Sequence, residues 1–361
     1  MTRRDSRSSV SPAKRSARSP RAQARARVGI PVTIEDVAEA AGVSTATVSR
    51  VLNQSAPVKS ETRARVEEAI SHLSYRPSDI ARSMARGRTA TIGLVLDDLT
   101  NPFNSQAAEV VMHTAEKSGF RTILGLAPSQ SGRCAQVSEF LLRQRVDGFL
   151  FGQARLKEPA IEALLDKGLP VVLFNRRLRQ GNASYVGCDN YRGSAAVADH
   201  LIRLGHESLA IIAGPANLST VAERIAGFQA ALRAARMRAA PVFYTRYRTG
   251  DAYSAMTEVL KRDRKPTAVF ATTDFMALEA IQYAVDHQLK VPGDLAVVGF
   301  DDIVLAAHPW IRLTTVAQHI AKQASRAVEH LLGRIGGKQQ QPVVELLPVE
   351  LVIRRTCGGG Q

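Results

Sequence analysis

Two rhythms divide the chain. Between Val32 and Tyr75, apolar residues recur at helical spacing in three short runs. In the first, Ile34, Val37, Ala38 and Ala41 fall on one helix face, and Thr33 precedes it with Asp36 three residues on, a capping-box pattern. Gly42 then permits a sharp turn that a residue with a Cβ resists. Ser44 is placed to cap a second helix, Thr45 to Leu52, which turns Val48, Val51 and Leu52 inward and leaves Thr45, Ala46, Ser49 and Arg50 outward. Val58 to Tyr75 reads as a third amphipathic helix, capped by Ser60, with Val66, Ala69, Ile70 and Leu73 on one side. A helix that exposes hydroxyls, a methyl and an arginine at its start suits a DNA major groove, where each can reach base edges. An ordinary helix pair within a larger core is the competing reading.

From Thr89 the rhythm changes. Thr91–Leu96, Arg121–Leu126, Asp147–Phe151 and Pro170–Phe174 are short apolar strand candidates, separated by helical stretches at Phe103–Lys117, Gly132–Arg143 and Glu158–Lys167. The alternation resumes with helix Tyr191–Leu204, strand Ser208–Ala213, a helix around Arg224–Arg236, strand Ala268–Ala271, helix Phe275–Gln288 and strand Leu295–Phe300. Repeated βα units predict α/β architecture, with parallel sheets covered by helices on both faces. About ten strands exceed one compact sheet, and the rhythm pauses near Tyr185–Asn190, so two lobes are expected. Leu351–Arg355 reads as the last strand, and no heptad repeat follows it that could zip dimers into tetramers.

Composition changes the picture at one end. The chain has 361 residues, 45% of them hydrophobic, and a formal net charge of +15. Residues 1–30 hold nine Arg and Lys against one Asp, with few large apolar groups. Such a segment cannot offset its ordering entropy by burial, so disorder is expected there, with phosphates attracted non-specifically. No apolar stretch follows that basic start, and no run is long enough to span a membrane. The three cysteines (Cys134, Cys188, Cys357) are widely spaced, with no CxxC or Cys/His cluster. A reducing compartment is therefore expected, with no zinc site and no cofactor.

The stretches TIEDVAEAAGVSTATVSRVLN, VKSETRARV, YRPSDIARSM and TIGLVLDDLTNPF stand in sequence, followed by VGCDNYRGSAAVADHLIRLGH, TTDFMALEAI, VVGFDDI and LVIRR. In order and spacing they resemble the LacI/GalR (lactose-repressor) family of bacterial transcription regulators over roughly residues 32–355. That resemblance implies a small all-α helix-turn-helix head and a two-lobed, periplasmic-binding-protein-like core of doubly wound parallel sheets. It also implies a homodimer on double-stranded DNA with a near-palindromic operator, and a small-molecule effector of sugar or sugar-acid type between the lobes. The expected domains are a basic tail at 1–30, the head at 31–75, a hinge helix or linker at 76–88, a core at 89–355 and a short tail at 356–361. The first lobe is expected at about 89–189 and 318–341, the second at about 190–317 and 342–355.

For DNA the resemblance implicates Thr33, Ser44, Thr45, Ala46, Thr47, Ser49, Arg50 and Asn53 in the head. In the hinge it implicates Ser78, Ala81 and Met84, the last as a wedge between base steps in the place of the family's usual leucine. For the effector it implicates Phe103, Asn104 and Asn175 from the first lobe, and Thr220, Arg224, Tyr253, Thr273 and Asp301 from the second. Arg224 is suited to a carboxylate, a phosphate or vicinal hydroxyls, and Asp301 to ligand hydroxyls. Asp189-Asn190 reads as a helix cap rather than a ligand contact. Against an enzyme stands the lack of GxxxxGK[ST], HExxH, GxSxG and strand-borne GxGxxG motifs. A solute-binding protein, or an architectural DNA protein that senses nothing, remains the alternative.

Overall fold

A computed structural model of the chain describes residues 32–53, 56–75 and 88–359. Its contacts cluster into two units, Met1–Thr89 and Ala90–Gln361. In the first, helices α1 (Ile34–Ala41), α2 (Thr45–Asn53) and α3 (Ser60–His72) enclose a small core of Val37, Ala38, Ala41, Val48, Val51, Val66, Ala69 and Tyr75. Asp36 turns back to accept bonds from the Thr33 backbone N–H at 2.8 Å and its hydroxyl at 3.0 Å, closing the start of α1. Gly42 ends that helix in the left-handed region, at φ 63, where its N–H reaches back to the Ala38 and Glu39 carbonyls. Ser44 Oγ accepts from the Thr47 N–H at 3.2 Å, so Ser44 caps α2. Ser60 does not cap α3: the helix begins at Ser60 itself, and the extended residue before it is Lys59, which offers no side-chain acceptor. The acid in that first turn is Glu61.

The second unit holds two parallel sheets. The first has six strands in the order β11-β5-β4-β3-β1-β2, drawn from β1 (Thr91–Leu96), β2 (Arg121–Leu126), β3 (Gly148–Phe151), β4 (Val171–Phe174), β5 (Ser184–Cys188) and β11 (Val344–Leu347). Period-two alternation sorts its side chains. Ile92, Leu94 and Leu150 pack beneath α4 (Pro102–Lys117) and α11 (Ile320–Ile335), while Val95, Phe149 and Phe151 meet α5 (Cys134–Arg143) and α6 (Pro159–Asp166). The second sheet runs β7-β6-β8-β9, from β6 (Leu209–Ala213), β7 (Val242–Tyr244), β8 (Ala268–Ala271) and β9 (Ala296–Val298). Helices α7 (Asn190–Arg203) and α8 (Ser219–Ala234) cover one face, α9 (Asp251–Leu260) and α10 (Asp274–Asp286) the other. A short antiparallel pair, β10 (Thr315–Ala317) with β12 (Glu350–Val352), lies beside β9 through bridges at Val298–Thr314 and Asp301–Ala317. Among the described residues no helix is long and apolar enough to cross a membrane.

The chain leaves the first sheet after Cys188, returns after Ala317 and leaves again after Leu347. The last crossing therefore does not fall near 342, because Val344–Leu347 pairs in parallel with Tyr185–Cys188 and extends the first sheet. The final strand is also shorter than Leu351–Arg355. After Val352 the backbone turns so that Arg355 N–H bonds Arg312 C=O at 2.8 Å and Thr356 Oγ1 accepts from Thr314 N–H at 2.9 Å. The described residues hold more strands than the ten or so the rhythm suggests: Val242–Tyr244 and Val344–Leu347 are edge strands with half-exposed side chains, while the buried Ser184–Cys188, at the expected pause, and Thr315–Ala317 are too short and too mixed in composition to read as apolar runs. Helix α11 is absent from the helices read from the sequence, although Ile320, Ala324, Ala327, Val328, Leu331 and Ile335 lie at helical spacing.

Helices α7 and α8 meet backbone to backbone. A Cβ on Gly227 would lie 2.1 Å from the Tyr191 carbonyl oxygen, a contact no rotamer change relieves. Gly227→Ala is therefore expected to lower core stability by about 1–3 kcal/mol. Urea unfolding of the full chain reads this directly, and an unchanged midpoint would mean that the two helices can part at no cost.

Candidate functional site

The head presents one polar surface. Packing of Val48 and Val51 against α1 and α3 fixes which way α2 faces, and Thr45, Ala46 and Arg50 are left exposed beside Ser44. Thr47 and Ser49 are half-buried, and the Ser44 and Thr47 hydroxyls share a bond of 3.0 Å at the start of the helix. Thr33 sits apart in role, its N–H and hydroxyl both engaged with Asp36. Asn53 is the last residue of α2. Its side chain, Ser78, Ala81 and Met84 lie outside the described residues, as does the basic tail.

In the core, a cavity of about 410 Å³ opens where strands of both sheets end. Ligand clefts in open α/β sheets form at such carboxyl ends. The first lobe contributes Asp97 and Asp98 after β1, Ser129 after β2, Asn175 and Arg176 after β4, and Phe103 and Asn104 from the first turn of α4. The second contributes Thr220 and Arg224 from α8, Arg246 to Thr249 after β7, Thr273 and Phe275 after β8, and Asp301 after β9. Among the described residues no group of His, Cys, Asp and Glu is arranged to hold a metal ion.

The two acids that follow β1 do different work. Asp97 pairs with Arg176 and also accepts from the Ser129 N–H at 2.6 Å. Asp98 is spent on its own loop, with Oδ1 accepting from the Thr100 N–H at 2.8 Å, the Thr100 hydroxyl at 2.8 Å and the Asn101 N–H at 2.9 Å. Asn101 caps α4. Asn175 adopts the left-handed region at φ 62, and its carbonyl accepts from Tyr185 Oη at 3.0 Å.

On the opposite wall Arg224 and Asp301 are both almost fully buried, 3% and 4% exposed, and lie 3.2 Å apart. Arg224 Nε donates to Asn190 Oδ1 at 2.8 Å, Nη1 donates to the Thr272 carbonyl, and the guanidinium lies 3.7 Å from the Phe300 ring centroid. Gln318 Nε2 donates to the same Asp301 oxygen that Arg224 holds. Burial pushes the Asp301 carboxyl up, while Arg224 and the Gln318 bond pull it back, leaving it at about 6. Its neighbour Asp274 is pushed up to about 8, mainly by burial and then by the Asp301 charge. Asp189 caps α7 by accepting from Arg192 N–H at 3.0 Å, and Asn190 is drawn into the Arg224 network.

Seven residues implicated for the effector, Phe103, Asn104, Asn175, Thr220, Arg224, Thr273 and Asp301, line this one cavity. Thr273 also caps α10, accepting from the Met276 N–H at 3.3 Å. Tyr253 does not line the cavity. It lies within α9 and packs edge-on against Tyr283 of α10, with ring centroids 5.1 Å apart. Tyr247, in the loop between β7 and α9, does line the cavity with Phe103 and Phe275, held at φ 60 over Gly214 and 5.6 Å from the Arg176 guanidinium. Tyr247 and Arg176 are absent from the sequence-based set. The available signal for Arg176 is its place beside Asn175 at a strand end.

Comparison with known proteins decides the family. A model of the lacI family of bacterial regulatory proteins matches residues 33–78, and a periplasmic binding protein-like domain matches residues 198–357. The HTH-type transcriptional repressor PurR of Histophilus somni (strain 2336) is 32% identical over 328 residues, covering 90% of this chain and 98% of the relative. The chain belongs to the lacI family. The HTH-type transcriptional regulator DegA of Bacillus subtilis (strain 168) is likewise 32% identical, over 90% of this chain and 97% of its own. Among solved structures, the lac repressor dimer bound to operator and an anti-inducer is 28% identical with a TM-score of 0.82, over 91% of this chain and 99% of that one. A transcriptional regulator CelR–cellobiose complex is 32% identical with a TM-score of 0.69, over 90% and 99%. This lacI-family chain is accordingly a DNA-binding transcriptional regulator and not an enzyme.

Proposed function

We propose that the protein is a cytoplasmic, dimeric repressor whose operator affinity is set by a sugar or sugar-acid-like molecule held between its lobes. The observation that carries this reading is the shared cavity, with Asn104, Asn175 and Arg176 on one wall and Arg224, Thr273 and Asp301 on the other. Amides, hydroxyls and charged pairs are the groups that recognise a polyhydroxylated ligand, and the Phe103, Tyr247 and Phe275 rings offer apolar faces for its C–H surfaces. Two similar structures hold sugars: CelR with cellobiose, and a LacI-family regulator from Enterococcus faecium with ribose, 28% identical with a TM-score of 0.67. Residues 1–30 act as the basic tail, 31–75 as the reading head and 76–88 as the hinge. Thr45, Ala46, Ser49, Arg50 and their neighbours face the major groove, and Ser78, Ala81 and Met84 face the minor groove.

One head reads few base pairs, so a near-palindrome and two copies are required. An apolar turn on the second lobe supports the second copy: Trp310 is 91% exposed, with Val304 and Leu305 exposed close by in sequence. Large apolar side chains left to solvent in this way mark a surface that another chain covers.

Two measurements test this reading. After selection of a binding site from random duplexes, Arg50→Ala and Thr45→Ala should each weaken binding to that site by about 1–3 kcal/mol. They should leave random-sequence binding much less affected, and equal losses on both would make these residues phosphate anchors that read nothing. Trp310→Asp should convert the dimer to a monomer by light scattering at micromolar protein, and a persistent dimer would place the interface elsewhere.

A further inference from the structure

The charges lining the cavity do not cancel evenly. Arg224 and Asp301 neutralise one another at one wall, and Arg176 and Asp97 do so at the other. Two cationic side chains remain, Arg246 and Arg248, both exposed, and among the described residues neither guanidinium has an ion-pair partner. Arg176 fixes where they stand. Its Nη1 lies 3.5 Å from Ser129 Oγ, and its Cζ is 5.6 Å from the centre of the Tyr247 ring, so the 128–131 and 246–249 loops flank the same end of the cavity. Arg176 is itself 8% exposed, and its Nε is buried without a partner.

The nearby acids do not remove this surplus. Asp97 is committed to Arg176 and to the Ser129 N–H, and Asp98, which also lines the cavity, is held by the Thr100 and Asn101 N–H groups of its own loop. Asp251 accepts from the backbone N–H groups of Arg246 and Arg248, at 2.7 and 3.3 Å, and Glu258 is paired with Lys261; both line a neighbouring open groove that Arg246 and Arg248 also border, and neither lines the cavity. Along the lining, four arginines against three carboxylates leave one positive charge, held beside the neutral donors of Ser129, Ser131 and Thr249. A wholly neutral polyol would leave that charge unused. Guanidinium groups bind carboxylate and phosphate oxygens through short, charge-assisted bonds.

Resting on the sugar-class reading above, we infer that the effector carries an anionic group, a carboxylate or a phosphate, seated between Arg246 and Arg248 at the Arg176 end of the cavity. Its polyhydroxyl body then extends toward Arg224 and Asp301. Arg246 and Arg248 set specificity, selecting the acid or the phosphate ester over the parent sugar.

The test is a thermal-shift and calorimetric screen of the full chain against matched compounds. Glucose, galactose and ribose form the neutral arm, gluconate, glucuronate and galacturonate the carboxylate arm, and glucose 6-phosphate and ribose 5-phosphate the phosphate arm. Inorganic phosphate and sulfate at equal ionic strength control for binding to the basic tail. The expected result is a stabilising compound in one anionic arm only, which also identifies the anion. Arg246→Gln with Arg248→Gln should lower its affinity by about tenfold or more, and the paired Lys substitutions should restore most of it. The ligand-free melting temperature of each variant reports its folding. A stabilising neutral sugar, or an anion whose affinity survives the paired Gln substitutions, overturns the inference and leaves the sugar-class reading standing. A panel silent in every arm overturns the sugar-class reading and this inference with it.

Discussion

A guanidinium taken out of water must be met on several sides at once, and in this protein the place where that happens also joins the two lobes. Arg224 is held by Asp301, Asn190, the Thr272 carbonyl and the face of Phe300. Asn190 opens α7 immediately beyond the first crossing between sheets, and Gln318, which shares Asp301 with Arg224, stands immediately beyond the second. Removing one member of a buried ion pair costs about 3–5 kcal/mol because the other is left charged and unpaired. The cavity wall and the crossings are thus bound to one arrangement of charges, and a change at one is felt at the other.

The same network reaches the first lobe. Asn190 Nδ2 donates to Glu223 Oε2 at 2.9 Å, and Glu223 Oε1 receives Arg177 Nη2 at 2.7 Å. The Arg177 N–H bonds Ser219 Oγ at 3.0 Å, and Leu156 N–H bonds the Asn217 carbonyl at 2.9 Å. These contacts define one setting of the lobes. A ligand in the cavity alters that setting only by as much as it binds one arrangement better than another. Hydrogen bonds that run from Asp301 through Gln318, and from Arg224 through Asn190 to Arg177, give such a preference a physical path to the spacing of the lobes.

Much of this was legible in the sequence, and the exceptions have particular causes. The head was readable because each helix is short, strongly periodic and punctuated by Gly42 and Ser44. Both ends of α3 differ from the Val58 to Tyr75 expected: Ser60 stands inside the helix rather than capping it, and the last helical residue is His72. Strands buried on both faces, such as Ile92–Leu96, announce themselves as apolar runs. Edge strands do not, and a short buried strand with a tyrosine, a glycine and a serine, Ser184–Cys188, does not either. Val344–Leu347 leaves two residues exposed, so the last crossing was set too early in the chain. Val242–Tyr244 spans three residues, and without it the loop that carries Arg246, Tyr247 and Arg248 is not recognisable as a strand end. The aromatic that the family resemblance implicates, Tyr253, lies inside the following helix. Pairing is a further limit. Arg176 and Asp97 are far apart in sequence, as are Arg224 and Asp301, and nothing local shows that each acid meets an arginine.

Transmission from the cavity to the lobe crossings rests on the Arg224–Asp301 network. Gln318 belongs to that network without lining the cavity, so Gln318→Ala separates sensing from its transmission. The decisive measurement is the coupling free energy, obtained by titrating operator with and without a stabilising effector for the wild-type and variant proteins. The variant is expected still to bind effector, with affinity changed only a few-fold, about 1 kcal/mol or less. The ratio of its operator affinities with and without effector should collapse toward one. A wild-type ratio in Gln318→Ala would mean that the signal leaves the cavity by another route than this network.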